Sequence, residues 1–314
     1  MKRPFYNAIH SLFFNPKHFV AAILIRIGRR VPDELYLRWV FYLETGNKLN
    51  LDNPSRFNEK LQWIKLYYHN PLMTTMVDKY AVKDYVSGRM KELPEENLYV
   101  AKTLGVWQCP EEINWDILPT QFVIKTNHDG GNNGVFVCKD KSQIDKNKLI
   151  RAINKSLKRD VYALGREWPY KNVPRCVLAE QYLEDATGEL RDYKFFCFNG
   201  EVHYLFIATE RQKKGEDVKF NYYDADFEPL DIIQHHPMST KNIEKPQNFE
   251  AMKRIASHLS KGLPEVRVDL YEANGKIYFG EYTFFHHGGT VPFHPDKWDF
   301  IWGELIQLPE KNVF

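Results

Sequence analysis

Cysteine is scarce in this chain of 314 residues: Cys109, Cys138, Cys176 and Cys197 are all it has. They form no Cys-x-x-Cys pair, and no spacing among them matches a zinc site. Three fall inside apparent strands, where cysteine behaves as a small hydrophobe, and this usage suits a reducing, cytoplasmic compartment. The ~20-residue apolar run that a bilayer span needs is also missing. The nearest approach, His18-Phe19-Val20-Ala21-Ala22-Ile23-Leu24-Ile25, is too short, and it lacks the small-residue cleavage site of a signal peptide. No basic tract resembles a stripe for a phosphate backbone, and the net charge is only +2, so nucleic acid is not expected as a partner. No Gly-Lys-Ser/Thr follows a glycine-rich stretch, which rules out a Walker loop. Internal repeats and low-complexity tracts are absent as well.

What is present describes a soluble globular protein with a real core, 43% hydrophobic and 27% charged. Its length allows two domains, or one domain with a lid. Aromatic content of 15% suits planar ligands and plain packing equally. Lys2, Arg3, Arg26, Arg29 and Arg30 flank the short apolar run. Residues 1–30 therefore read either as a basic amphipathic helix on an anionic membrane surface or as a helix packed on the protein, packing being preferred.

Residues 1–75 read as mostly helical, with Leu61, Ile64, Leu66 and Tyr67 at helical spacing. A further helix is expected over 77–86, ending near Gly88, then a short strand and a turn at Gly105 within 98–107. From 121 onward strands dominate: 121–125 and 135–138 around a Gly/Asn-rich turn, then 176–183, 191–198 and 201–208, the last two joined by Asn199-Gly200. Helices are expected over 145–159 and 247–261, a loop over 160–175 and a charged loop over 211–217. Asp224-Ala225-Asp226 reads as a turn. The alternation of helices with hairpins indicates an α+β fold.

Val266-Arg267-Val268-Asp269-Leu270 and Tyr278-Phe279-Gly280-Glu281-Tyr282-Thr283 read as adjacent strands linked through Ala273-Asn274-Gly275. A carboxylate in an apolar strand is costly to bury without a partner. Alternation puts Asp269 on the face of Arg267, and Glu281 on the face of Thr283. Such a pair of acids can hold Mg²⁺ against phosphates, or can simply be an Arg–Asp pair with a rim Glu. Lys125 ends an apolar strand before the hairpin His128 to Gly134, whose backbone N–H groups can face a phosphate; a plain flexible hairpin is the alternative. Val177 to Glu184 is an apolar strand that turns polar as it exits, and it can offer backbone bonds to a base and a carboxylate to a ribose. Arg191-Asp192-Tyr193-Lys194 opens the next strand. His286-His287, His294 and His235-His236 lack metal-ligand spacing and read as loop residues near a site.

The order of these signals, Asp78-Lys79, Lys125 with its hairpin, Glu180 to Leu183, Arg191-Asp192, Arg267-x-Asp269 and Glu281-x-Thr283, resembles the ATP-grasp superfamily. More closely, Phe57-Asn58-Glu59-Lys60-Leu61-Gln62-Trp63, Gly165-Arg166-Glu167-Trp168, Arg191 to Phe198 and Gly280 to Phe284 are similar to the TupA-like ATP-grasp proteins of teichuronopeptide and capsular polysaccharide synthesis. The resemblance covers about residues 50–305. It implies two α+β subdomains sandwiching ATP, drawn as 76–179 with the lid hairpin and 180–314 with the metal site, after a helical region over 1–75. It implies a carboxylate–amine ligase working through an acyl phosphate, at the inner face of the membrane, with a sugar acid or other carboxylate and an amine as substrates. Lys79 and Lys125 would contact phosphates under a lid containing Gly130, Gly131 and Gly134. Glu180, Gln181, Tyr182 and Leu183 would frame the adenine, Asp192 the ribose, and Lys219 would approach the γ-phosphate. Asp269, Glu281 and Thr283 would bind Mg²⁺, and Arg267 would steady the oxyanion. Thr283 stands where many relatives have Asn. A kinase acting on a hydroxyl is the alternative on the same fold, and a glycosyltransferase using Asp224-Ala225-Asp226 is a further one. Oligomeric state is not fixed by the sequence.

Overall fold

The computed structural model describes residues 30–130, 134–185, 190–209, 218–241 and 243–312. The expected charged loop over 211–217, and nearly all of the basic segment over 1–30, lie outside the described residues. The described helices are α1 (Asp33–Thr45), α2 (Phe57–Tyr67), α3 (Leu72–Val77), α4 (Val82–Arg89), α5 (Lys146–Leu157), α6 (Val161–Gly165), α7 (Phe249–Ser260) and α8 (Lys297–Leu305). The described strands are β1 (Leu98–Val100), β2 (Thr103–Trp107), β3 (Phe122–Thr126), β4 (Val135–Cys138), β5 (Val177–Gln181), β6 (Arg191–Phe198), β7 (Glu201–Thr209), β8 (Lys219–Asp224), β9 (Glu265–Ala273) and β10 (Lys276–Thr283). The fold is α+β with two sheets, ordered β2-β5-β3-β4 and β1-β10-β9-β6-β7-β8. Among these pairings β1–β10 is parallel and the rest are antiparallel.

Alternation gives each sheet two chemically different faces. In β3, Phe122, Ile124 and Thr126 are buried; the first two join Ile113, Leu118, Ile153, Val177 and Ala179 in a small core beneath α5. Val123 and Lys125 point the other way. In the six-stranded sheet, Phe195, Cys197, Val266, Val268 and Leu270 lie on the face covered by α7. That helix supplies Phe249, Met252, Ile255, Ala256 and Leu259, the spacing of one helical stripe. The opposite face begins with aromatics, where Trp302 of α8 stacks on Tyr204 at 4.8 Å and Phe57 of α2 meets Trp302 edge-on at 5.5 Å. Further along, the same face becomes charged at Lys194, Arg267 and Asp269.

Both predicted hairpins use left-handed backbone: Asn199 and Gly200 have φ of 52° and 88°, and Asn274 and Gly275 have 51° and 73°. Three local expectations are corrected. The helix over 77–86 is broken, because Asp78 Oδ1 accepts from the backbone of Tyr80 (2.8 Å) and Ala81 (3.2 Å) in place of helical bonds. Gly105 lies within β2, where the register with β5 shifts, and not at a turn. The 160–175 loop contains α6 and a 3₁₀ turn at Trp168–Tyr170. Lys219 to Asp224, left unassigned from the sequence, is a strand, and Asp224 Oδ1 ends it at the expected turn by accepting from the backbone of Asp226 and Glu228, each at 2.9 Å.

Candidate active site

The polar face of β3–β5 and the charged face of β9–β10 border one cavity of about 510 Å³. Lys79, Lys125, Glu180, Gln181, Tyr182 and Leu183 all line it, with Tyr271 and Gly280 from the larger sheet. Val123 and Glu180 are register partners, as are Lys125 and Leu178, so all four side chains share the cavity face. The Glu180 carboxylate lies 2.5 Å from Lys125 Nζ and 2.5 Å from Lys83 Nζ, which reaches in from α4. Burial alone would raise the Glu180 pKa; the two lysines overrule it and hold the group below its ordinary value. Lys79 sits in the break before α4, where its backbone N–H donates to Asn127 O at 3.0 Å, fixing it beside the end of β3.

Beside the cavity is an ionic cluster. Asp269, fully buried at 0% exposure, accepts from Arg267 Nε at 2.7 Å and Nη2 at 2.8 Å, and pairs with Lys194. Lys194 also pairs with Asp192 at 2.6 Å. Arg267 Nη2 donates to Thr283 Oγ1 at 2.9 Å and lies 4.0 Å from Glu281, which pairs with Lys79 at 3.4 Å. Burial would push the Glu281 pKa up, yet Lys79, Lys194 and Arg267 bring it down to about 2. Arg267 Nη1 is 2.9 Å from His286 Nδ1; since guanidinium only donates, Nδ1 accepts and Nε2–H donates to Gln234 Oε1 at 3.0 Å. His286 is therefore a neutral, buried support of Arg267, as its strongly lowered pKa through burial and nearby cations requires.

Of the sequence-predicted residues, Asp192, Arg267, Asp269, Glu281 and Thr283 meet in this cluster, while Lys79 and the Glu180–Leu183 run meet in the cavity. Asp192 stands at the register position of the cavity-lining Tyr271 and faces Lys194. Lys219 is not brought to the cluster: it opens β8 opposite Thr209, three strands from β9. Gly130 and Gly134 flank the hairpin tip, and Gly131 is outside the described residues. At Gly134 a Cβ would come within 2.5 Å of Thr126 Oγ1 and 2.8 Å of Asp129 Cβ, so only glycine fits. Sequence reasoning did not assign Lys83, Lys194 or Gln234 a role at the site, and it placed His286 only as a loop residue near a site, not as the support of Arg267. Lys194 was open to inference, since it alternates with Asp192 on a strand pairing with β9; Gln234 had no local signal.

Among the described residues no group of three or more His, Cys, Asp or Glu side chains converges to hold a metal. The donor set expected from the sequence, Asp269, Glu281 and the Thr283 hydroxyl, consists of hard oxygens. That suits Mg²⁺, which takes few protein ligands and completes its shell with water and phosphate oxygens. With Lys79, Lys194 and Arg267 against Asp192, Asp269 and Glu281, the cluster is balanced in formal charge. It can therefore accept a dication together with a polyanion.

A family model for TupA-like ATP-grasp proteins matches residues 59–307. No curated protein sequence matches the chain. The fold is similar to D-alanine–D-alanine ligase from Bacillus anthracis complexed with ATP, at 15% identity over 64% of this chain and 52% of that one, TM-score 0.36. It is similar to the ATP-grasp ligase PsnB complexed with a minimal precursor, at 12% identity over 69% and 54%, TM-score 0.39. It is also similar to the ADP complex of purK, an N5-carboxyaminoimidazole ribonucleotide synthetase, at 14% identity over 79% and 56%, TM-score 0.42. The chain thus spans little more than half the length of each. The family match covers most of the sequence and contains every residue of the cavity and cluster described above: this protein belongs to the TupA-like ATP-grasp family.

Proposed function

We propose that the protein is an ATP-dependent carboxylate–amine ligase that activates a carboxylate as an acyl phosphate. The observation that supports this best is the union of a half-apolar cavity edged by Lys79, Lys125 and Glu180 with the Arg267–Asp269–Glu281 cluster. In this reading Gln181, Tyr182 and Leu183 frame the adenine by their backbone, and Glu184, which also lines the cavity, meets the ribose in place of Asp192, which pairs with Lys194. Lys79 and Lys125 hold the phosphates, and the hairpin that includes Gly130 and Gly134 covers them. Asp269, Glu281 and Thr283 would hold Mg²⁺, which when bound neutralises charge on the transferring phosphoryl group.

Nucleotide binding would draw Lys79 away from Glu281 and Lys125 away from Glu180, both cations finding a stronger anion. Arg267, braced by His286 and Gln234, would then present its one remaining Nη1–H to the carboxylate oxygen that gains charge. No side-chain nucleophile is needed. In this reading the carboxylate is a uronic or amino acid used in surface-polysaccharide assembly.

The test is phosphate release from Mg·ATP across a panel of uronic and amino acids, with and without primary amines. A ligase releases phosphate only when acid and amine are both present. Transfer of phosphate to a sugar hydroxyl without free phosphate would replace this reading by the kinase.

A further inference from the structure

Beyond the ionic cluster, the charged face of the six-stranded sheet runs on across β7 and β8. Register places Tyr271, Asp192, Ala208 and Phe220 in one row, and Asp269, Lys194, Phe206 and Tyr222 in the next. Tyr271 and Gly280 border the cavity, so β6 with its part of the cluster separates that cavity from β7 and β8. Lys194 and Arg267 both lie over the Phe206 ring, at 5.9 and 5.4 Å. Imidazoles cover the rest. His286 stands 5.4 Å from Phe206, while His236 and His287 stand 4.5 and 6.1 Å from Phe220. His287 is 4.0 Å from His286, the ring that braces Arg267, and His235 is 5.6 Å from His287 and 4.5 Å from His236. Phe220 is buried beneath them, whereas His235 is exposed and His236 and His287 are half-buried, so these three imidazoles form the outer surface.

Two of the three are held in left-handed backbone, with φ of 61° at His235 and 49° at His287. His236 N donates to Gln234 O at 2.7 Å, so His235 tips a three-residue turn of the rare, strained kind. Its base is pinned: Ile233 and His294 exchange backbone bonds at 2.8 and 3.0 Å, and Gln234 Nε2 donates to Val291 O at 2.9 Å. Strain persists where the surroundings over-determine it, as they do at ligand clamps. The Nε2 atom of His287 is buried and has no hydrogen-bond partner, a costly state that a bound hydroxyl would relieve. Burial first, then Arg267 and the other imidazoles, lower the His287 pKa to about 3. The ring is therefore neutral, with one nitrogen donating and the other accepting, as a hydroxyl also does. The charge that adjoins these rings through His286 is Arg267. Hydroxyls on the imidazoles and a carboxylate towards Arg267 describe a sugar acid.

We propose that His235, His236 and His287 form the subsite for the hydroxylated body of the acid substrate, which makes that substrate a sugar acid; this rests on the ligase reading above. The imidazoles fix the ring, and the carboxylate extends across Phe206 to Arg267. There it meets the cluster from the side opposite the cavity, facing the phosphate to be transferred. An amino acid has no hydroxyls to spread over three imidazoles, and its ammonium would be turned towards a guanidinium.

The test is saturation-transfer NMR on the full chain with Mg·ADP, using glucuronate and galacturonate as probes and alanine as the amino-acid comparison. Wild type is expected to bind at least one uronate and to bind alanine far more weakly. The variants are His287→Asn and His235→Asn, because asparagine adopts left-handed backbone readily and leaves the turns in place. Each should weaken the uronate roughly tenfold, the scale of one lost hydrogen bond. Unchanged uronate binding in both variants, alanine bound as well as the uronates, or no uronate binding by wild type would overturn the subsite. In each sample the unfolding midpoint with and without Mg·ATP reports the fold and the nucleotide site separately. A retained Mg·ATP shift with no uronate binding sinks this inference alone, and loss of both in wild type sinks the ligase reading with it.

Discussion

Asp269 and Glu281 stand opposite each other on β9 and β10, register partners immediately after the bulge that follows Phe279. Their surroundings differ. Asp269 is fully buried between two cations, whereas the Glu281 side chain is 35% exposed at the cavity edge. Asp269→Ala leaves Lys194 with Asp192 alone and Arg267 with Glu281 at 4.0 Å, and is expected to cost about 3–5 kcal/mol, the range for breaking a buried pair. Glu281→Ala should cost far less. Denaturant unfolding checks the order, and both variants should lack Mg·ATP-dependent turnover.

Gly280 permits that register. A Cβ there would fall 2.9 Å from Asp269 O and 3.0 Å from the Tyr271 ring. Because one of these is backbone, Gly280→Ala is expected to destabilise by about 1–3 kcal/mol and to shift Glu281 away from Asp269. The loss of turnover should exceed the loss of midpoint, measured on the same preparation.

Glu180 is 3% exposed and binds two lysines. Replacing it with Ala leaves Lys83 and Lys125 facing each other, and Lys83 already has its pKa lowered by burial. The expected result is a loss of stability that Glu180→Gln only partly restores, read as midpoints in guanidinium. Unchanged midpoints for both would mean that water, not Glu180, balances these cations.

The folded-state pKa of Glu281 is about 2, against an ordinary 4.5. Its folded pKa is depressed, so its contribution is fully present above pH 4.5 and is lost as pH falls towards 2. Buried Glu265, raised by desolvation, acts with the opposite sign, but equally in wild type and variant. The stability difference between wild type and Glu281→Gln should therefore be flat above pH 4.5 and shrink only below it.

Much of this was legible in the sequence where two signals agreed. The Asn-Gly turns fixed two hairpins because only left-handed backbone closes them, and Arg267-x-Asp269 fixed a charged face because strand alternation has period two. The helix break at Asp78 was not legible, since its cause is a side chain capping its own backbone. Strand β8 was left unassigned because Tyr222-Tyr223 interrupts the alternation of Lys219-Phe220-Asn221-Tyr222-Tyr223-Asp224, and its pairing partners lie on β7. Gln234 reaches Arg267 only through His286, a relation of tertiary packing with no trace in spacing.

The most direct measurement is the thermal midpoint of the purified chain with and without Mg·ATP, in wild type and Lys125→Ala, with UDP-sugars as the control ligand. Binding to the native state alone raises the midpoint by mass action, about 2.7 kcal/mol of stabilisation at a hundredfold excess over Kd. The account predicts a rise with Mg·ATP that Lys125→Ala abolishes, and none with UDP-sugars. A rise with a UDP-sugar and none with Mg·ATP would contradict it.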